Sequence, residues 1–377
     1  MRIGIEAQRI FRPNKHGMDI VVLEIIKHLQ LIDTENEYFI YVKKDKDVCL
    51  KSTKNFTIRE IEGRLFAWWE QFILPKAVKK DKCQILHCTG NTAPIFTNIP
   101  ILITLHDVIF LEKSYFSIIT GKGTLYQRFG NVYRKFIVPL IINKCKKIIT
   151  VSNSEKDKIE KLFKTNKLRV EVVYNAADER FINCDITNND LLKQFDLPSQ
   201  FILFHGNTDP KKNTGNVFKA LSILKNKYSI EIDLVITDLG VSFIKKIAKE
   251  TKSLDVLNQI KSVGYISTDK MPYLYSASSL FLYPSLREGF GLPILEAMSC
   301  ETPVITSNSS SMPEVAGNAA YLIDPENPDQ IAEAMAIMLN DSLKRNEFIE
   351  KGKKNILRFS WEDSAKQTLK IYNKFFN

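Results

Sequence analysis

"SLFLYPSLREGFGLPILEAMSC", residues 279–300, carries a strand, a turn and a helix start in succession. The apolar run 279–285 has the length and composition of a buried strand, closed by Pro284. Pro293 suits the first turn of a helix, which the following apolar residues continue. Between strand and helix lie Arg287, Glu288, Gly289, Phe290, Gly291 and Leu292. Glycines let backbone approach a ligand closely, and a helix start offers unpaired N–H groups to an anion. Two carboxylates, Glu288 and Glu296, flank that turn. They would repel a phosphate, so they are better suited to accepting hydrogen bonds from sugar hydroxyls. The plain alternative is that Glu296 complements the helix dipole while Glu288 is solvated. The glycine–aromatic–glycine step between them favours the ligand reading.

The same alternation runs through the whole chain of 377 residues. Short β-rich runs occur at 2–7, 38–43, 56–61, 84–87, 101–107, 146–152 and 169–174, and again at 201–206, 230–237, 260–265, 279–285, 303–306 and 320–324. Longer amphipathic segments separate them; in the first, Met18, Val22, Ile25, Ile26 and Leu29 share one helical face. Strands alternating with helices predict an α/β protein with parallel sheets covered on both faces. A polar, irregular stretch from about Asn175 to Gln200, including "NCDITNND", reads as the linker between two similar units. Ligands in such sheets bind beyond the carboxyl ends of strands, and a cleft between two such domains is the expected site.

Composition excludes several classes. The sequence is 44% hydrophobic and 25% charged, with no low-complexity tract and no repeat. No run of eighteen apolar residues predicts a spanning helix, and "MRIGIEAQRIF" lacks the core of a signal peptide. The six cysteines never form C-x-x-C and read as reduced structural thiols of a cytoplasmic protein. The net charge of +10 is concentrated in residues 51–150, with 16 basic against 6 acidic side chains. That excess is either a lysine-rich solvated surface or a basic face for an anionic membrane or phosphorylated acceptor. No motif for nucleic-acid recognition accompanies it. No His or Cys cluster has metal-ligand spacing, and Asp45-Lys46-Asp47 reads as a solvated turn. "FAWWEQFILPKAVKK" (66–80) reads as a helix, in which Trp68, Trp69 and Phe72 are within helical reach of one another. Packing of most of them in the first core is the favoured reading; rimming an acceptor groove or dipping into a membrane interface is the other.

E-G-F-G-L-P-x-x-E, from Glu288 to Glu296, resembles the E-x7-E signature of family 4 retaining glycosyltransferases. Further segments resemble that family in order: "ITLHD" (103–107), "IITVSNSEKDKI" (148–159), "VEVVYNAADERF" (170–181), "GNTDPKKN" (206–213), "TSNSSSMPEVAGNAAYLIDPENPDQIAEAM" (306–335) and "FSWEDSAKQTLKIY" (359–372). The resemblance implies a GT-B fold: two Rossmann-like α/β/α domains facing a central cleft. It places an acceptor-binding domain at 1–180 and a nucleotide-sugar-binding domain at 198–359. The terminal helix, 360–377, would cross back onto the first domain.

It also implies roles. Glu296 would hold the donor's ribose hydroxyls and Glu288 would lie by the donor sugar. Backbone at Gly289, Phe290, Gly291 and Leu292 would meet sugar hydroxyls and phosphate. Lys212 would neutralise the diphosphate, where a cation stabilises the charge of the departing group. His106, emerging from the end of an apolar strand, matches a family histidine close to the donor sugar; bonding backbone is the ordinary alternative. Gly17, in "RPNKHGMDIVVLEI", matches a glycine that approaches the diphosphate, and His16 is expected at the surface. Two departures stand out. Asn207 occupies the place of a common family arginine, so that one cation of the clamp is either missing or supplied by Lys211 or Arg287, and Ala176 replaces a usual turn glycine.

The expected activity is transfer of a hexose or deoxyhexose from a nucleotide diphosphate sugar, with retention and without metal or other cofactor, to a hydroxyl acceptor. A lipid-linked or polysaccharide intermediate of O-antigen or capsule is the expected acceptor. The expected location is the cytoplasm, with peripheral contact to the inner face of the plasma membrane through the basic first domain. A glycoside hydrolase or phosphorylase-like enzyme also uses two carboxylates, and a non-catalytic nucleotide-binding scaffold is the third reading.

Overall fold

The computed structural model describes residues 1–63, 65–112, 125–164, 169–182 and 195–376, with the side chains of 125–127 and 169 excepted. "NCDITNND" (183–190), the centre of the expected linker, lies outside the described residues. The chain divides into two compact units, Met1–Asn175 with Ser360–Asn377, and Ala176–Phe359.

The first unit holds seven strands: β1 (Arg2–Glu6), β2 (Glu37–Val42), β3 (Phe56–Glu60), β4 (Ile85–Cys88), β5 (Ile101–Leu105), β6 (Lys147–Thr150) and β7 (Arg169–Val172). They pair parallel in the order β3-β2-β1-β4-β5-β6-β7. β4, β5 and β6 are buried end to end, as strands covered on both faces must be. One face is covered by α1 (Gly17–Ile32), whose Val22, Ile26 and Leu29 join Ile3, Ile5 and Ile40 in one core. Each such side chain contributes roughly 1.5–3 kcal/mol on leaving water. α2 (Leu125–Ile142) sends Ile137, Val138, Ile141 and Ile142 into a second core, with Tyr41, Leu74 and Val78.

The second unit holds β8 (Phe201–His205), β9 (Asp233–Thr237), β10 (Ile260–Gly264), β11 (Leu280–Tyr283), β12 (Val304–Ser307) and β13 (Tyr321–Ile323), all parallel in the order β10-β9-β8-β11-β12-β13. Its helices include α3 (Thr214–Tyr228), α4 (Met271–Ala277) and α5 (Leu292–Ser299). α6 (Trp361–Asn373) returns to the first unit, where Ala365, Ile371 and Tyr372 enter the same core as α1. Ser360 caps it, accepting from Asp363 N–H at 3.3 Å.

All thirteen expected strands are present, within a few residues. The expected helix at 66–80 is less regular. It runs as Phe66–Trp68 in α form, Trp69–Ile73 as a π turn, then Leu74–Lys80 in α form. Pro75 has no N–H for the Gln71 carbonyl and its ring would crowd it; the widened turn accommodates both. The favoured core reading of the aromatics holds for Trp69, which is fully buried and donates from Nε1 to the Ile61 carbonyl at 3.0 Å. It fails for Trp68 and Phe72, which are exposed.

In both sheets the strand order reverses next to the first strand of the unit. Connections from β1 and β4 leave in opposite directions, and so do those from β8 and β11. A crevice opens at such a switch point, beyond the carboxyl ends.

Candidate active site

The loops that follow β8 and β11 are "GNTDPKKN" and "PSLREGFG". The first leaves the strand through Gly206, where a Cβ would come within 2.6 Å of the Ile236 side chain, so only glycine fits. Asn207 accepts from Asp209 N–H at 2.8 Å, and Asp209 in turn caps the short 3₁₀ turn Pro210–Lys212 by accepting from Lys211 N–H at 3.1 Å. Asn207 therefore shapes the loop where the family arginine would bring charge. Asn213 adopts a left-handed conformation and donates from Nδ2 to the carbonyls of Pro284, at 3.0 Å, and Pro325, at 2.6 Å. The Leu286 N–H donates to the Lys211 carbonyl at 2.8 Å. These bonds zip the two loops together.

The zipper brings charges into contact. Lys212 Nζ donates to Glu288 Oε1 at 2.8 Å and to the Tyr283 hydroxyl at 3.1 Å, and lies 4.7 Å from the centre of the Tyr283 ring. Lys211 Nζ donates to the other oxygen, Glu288 Oε2, at 3.2 Å. Tyr283 is buried at the end of β11, where its hydroxyl accepts from Lys212 and helps keep the Glu288 carboxylate ionised. Burial alone would raise the Glu288 carboxyl; the charges of Lys212 and Lys211, with the bonds from Lys212 and Tyr283, outweigh it and hold the group at about 2. Glu288 is thus ionised at any ordinary pH.

Its backbone is fixed from behind by serines after β12. Ser310 and Ser311 hydroxyls donate to the Glu288 carbonyl at 2.8 and 3.0 Å, and Ser311 also reaches the Phe290 carbonyl at 2.8 Å. Arg287 donates from Nη1 to Ser310 Oγ at 2.9 Å and to the Glu288 carbonyl at 3.1 Å. Arg287 holds the loop, and Lys211 is the second cation on Glu288. Gly291 has φ +105°, in the region that favours glycine, and precedes α5 without a side-chain cap on the helix.

Glu296 lies one turn into α5. It accepts from the Tyr275 hydroxyl of α4 at 3.0 Å. Burial raises its carboxyl to about 7, with Asp178 adding to the rise and the Tyr275 bond opposing it. Beside Tyr275, at 5.5 Å and stacked, sits the His205 ring, which burial holds neutral at about 3. Glu288 and Glu296 therefore have opposite electrostatic settings.

The remaining expected residues belong to the first unit. His106 follows β5 and is buried; its Nε2 bonds the Thr89 carbonyl at 2.9 Å, and its backbone N–H donates to Asn91 Oδ1 at 2.6 Å. Burial lowers its pKa, so the ring is neutral. Asp107 accepts from Ile109 N–H at 3.1 Å and starts the next turn. Gly17 opens α1 on the surface, and His16 beside it is exposed. Among the described residues no group of three or more His, Cys, Asp or Glu side chains is arranged to hold a metal ion. Sequence reasoning missed Tyr283, Tyr275, Asn213 and the two serines. A tyrosine at a strand end reads as an ordinary β-former, and the bonds of the others are long-range.

Two family models match the chain almost end to end: Glycosyltransferase Family 4 over residues 17–181 and Glycosyl transferases group 1 over residues 189–355. The chain belongs to this family of glycosyltransferases. It is 31% identical over 240 residues to the O-antigen chain mannosyltransferase B of Escherichia coli, an alignment that spans 61% of each chain. It is 26% identical over 289 residues, 74% of this chain and 75% of the relative, to the N-acetylgalactosamine-N,N'-diacetylbacillosaminyl-diphospho-undecaprenol 4-alpha-N-acetylgalactosaminyltransferase of Campylobacter jejuni. Among solved structures, Anabaena HepE in complex with UDP-glucose superposes with a TM-score of 0.72 at 16% identity, over 99% of both chains. The two parallel-sheet units are those of the GT-B fold.

Proposed function

We propose that the chain transfers a hexose or deoxyhexose from a nucleotide diphosphate sugar to a hydroxyl of a lipid-linked glycan, with retention, in the building of O-antigen or a related surface polysaccharide. The observation that carries the donor half is the Lys211–Lys212–Glu288–Tyr283 cluster at the switch point of the second sheet. An ammonium has three donors. Lys212 gives two to Glu288 and Tyr283 and can give the third to a phosphate oxygen. Two lysines at the leaving diphosphate stabilise the charge that develops as the sugar–phosphate bond breaks. The relatives' names, an O-antigen mannosyltransferase and a transferase acting on a diphospho-undecaprenol substrate, support the acceptor half.

The way Glu288 is held supports retention. A carboxylate bonded by two ammoniums and held at about 2 is a poor base for the acceptor hydroxyl of an inverting attack and a poor nucleophile for a covalent intermediate. The acceptor hydroxyl would attack the anomeric carbon on the face from which the diphosphate departs, and its proton would pass to the leaving phosphate oxygen. Glu296 and the 289–292 backbone would hold ribose, sugar hydroxyls and phosphate. With Lys211 and Lys212 in place, a metal ion has no necessary part in this mechanism.

The test is a thermal-shift screen of UDP-, GDP- and dTDP-hexoses, followed by transfer with the donor that raises the midpoint. The anomeric configuration of the product is then read by NMR. An α-linked product from an α-configured donor, formed undiminished in chelator, is expected. A product of the anomeric configuration opposite to the donor's, loss of activity in chelator, or product from a simple glycoside without nucleotide would overturn the reading.

A further inference from the structure

Glu296 owes its place to a side chain from another helix. The Tyr275 hydroxyl, on α4, donates to Glu296 Oε2 at 3.0 Å. Among the described residues no other group hydrogen-bonds this carboxyl, so Oε1 has no partner within the chain. The residue is partly exposed and Oε1 is not sealed from water, so that oxygen can meet a ligand.

Tyr275 itself is fully buried and has one place to be. Its ring stacks on His205 at 5.5 Å and meets Phe281 and Phe181 edge-on at 5.1 and 6.0 Å. Its carbonyl accepts from Thr302 Oγ1 at 2.7 Å and from Ser278 Oγ at 2.8 Å. Among the described residues its hydroxyl makes no other bond, and a buried phenol left unpaired is costly. A glutamate side chain at the surface has no such tie and would otherwise sample many rotamers. Tyr275 therefore fixes the carboxyl, and not the reverse.

The charged groups whose fields reach Glu296 are Asp178, Arg180 and Lys212. Asp178 is paired with Arg180 at 2.7 Å. The Lys212 charge is felt by both Glu296 and His205, which stands at the end of β8 against the Tyr275 ring. The open carboxyl oxygen and the Lys212 ammonium thus line one edge of the second sheet. They are neighbours there, as ribose and diphosphate are in a nucleotide.

We propose that Tyr275 is a positioning residue for donor selection: by holding Oε2 it presents Oε1 to the ribose hydroxyls, so that the chain takes ribonucleoside diphosphate donors and rejects those lacking these hydroxyls. The inference rests on the reading that Glu296 holds the ribose, and adds what holds Glu296 and which donor class follows. A carboxylate oxygen has two acceptor sites, enough for both hydroxyls of a cis-diol. A site built to bond a hydroxyl discriminates strongly against the analogue without it, because its own polar group is then left unpaired. If the phenol were merely satisfied by Glu296, its removal would cost stability and leave that discrimination intact.

The experiment is calorimetric titration of UDP, GDP and ADP, each beside its 2′,3′-dideoxy analogue, into wild type, Tyr275→Phe, Glu296→Ala and the double variant. For the nucleotide that binds, wild type should prefer the ribose form about tenfold or more. Tyr275→Phe should lower that preference about fivefold, and Glu296→Ala should erase it. The double variant should match Glu296→Ala, because the tyrosine acts only through the carboxyl. Affinity for the dideoxy form should stay within about twofold in every variant, which also shows that each is folded. A preference unchanged in Tyr275→Phe, or ribose and dideoxy affinities that fall together in it, would overturn the inference and leave Glu296 on the ribose. No binding of any nucleotide, no preference in wild type, or a preference that survives Glu296→Ala would overturn the ribose reading and the inference with it.

Discussion

At the switch point of the second sheet, the side chains that meet are two ammoniums, a carboxylate and a phenol. At the corresponding point of the first sheet they are mostly neutral. His87 on β4 bonds Tyr372 at 2.6 Å and Thr104 at 2.7 Å, and burial holds it at about 3. His106 is likewise held neutral by burial, and Glu6, at the end of β1, is spent on the backbone N–H groups of Gln8 and Thr89. The sheets share strand direction and the kind of crossover, so architecture fixes where a ligand can lie, not which. Charge decides that. The Lys212 ammonium, with two donors on Glu288 and Tyr283, can take a phosphate oxygen on its third, whereas neutral groups tied to backbone and helix can only offer hydrogen bonds.

The largest effect that would break this contrast is on turnover. Lys212→Ala should lower kcat/KM for transfer by about 10²–10³, the usual loss when a charge-stabilising donor is removed. A loss below about threefold would place the diphosphate elsewhere.

The next effect is on stability against pH. Glu296 and Glu70 are both raised by burial to about 7, from an ordinary 4.5. The folded chain keeps protons that the unfolded chain releases between those values. Their contribution is therefore full below about 4.5 and is lost as pH rises through about 7. Glu288, held at about 2, runs the other way: its contribution is full above about 4.5 and is lost as pH falls through about 2. Glu296→Gln should flatten the decline in unfolding free energy between pH 4.5 and 7 by up to about 3 kcal/mol, measured by urea titration. Glu288→Gln should leave that window unchanged and soften acid unfolding.

A smaller effect separates the two units. Tyr372→Phe leaves His87 Nδ1 without its phenol and should cost about 1–3 kcal/mol of stability. Nucleotide-sugar binding, measured calorimetrically on the folded variant, should not change.

Much of this contrast was legible in residue order. Apolar runs of strand length located every strand, and the glycines around Phe290 located the loop after β11. What was not legible is mostly a matter of distance and orientation. Lys212 and Glu288 are 76 positions apart in sequence and meet only because β8 and β11 are neighbours and Asn213 ties their loops. Periodicity finds the faces of α2 but cannot say which one meets water, because both carry apolar residues. At 66–80 it reads a plain helix, since the π turn at Trp69–Ile73 depends on how Pro75 disrupts the bond ladder. For His106 it finds the sheet edge but not that Nε2 is given to the Thr89 carbonyl.

The most direct test is calorimetric titration of a nucleoside diphosphate and the matching nucleoside into wild type, Lys212→Met and Glu288→Gln. The lysine variant should lose about tenfold or more in diphosphate affinity and nothing for the nucleoside, while the glutamine variant, its lysines released, should bind diphosphate more tightly yet transfer more slowly. Diphosphate affinities equal across all three proteins would contradict the clamp.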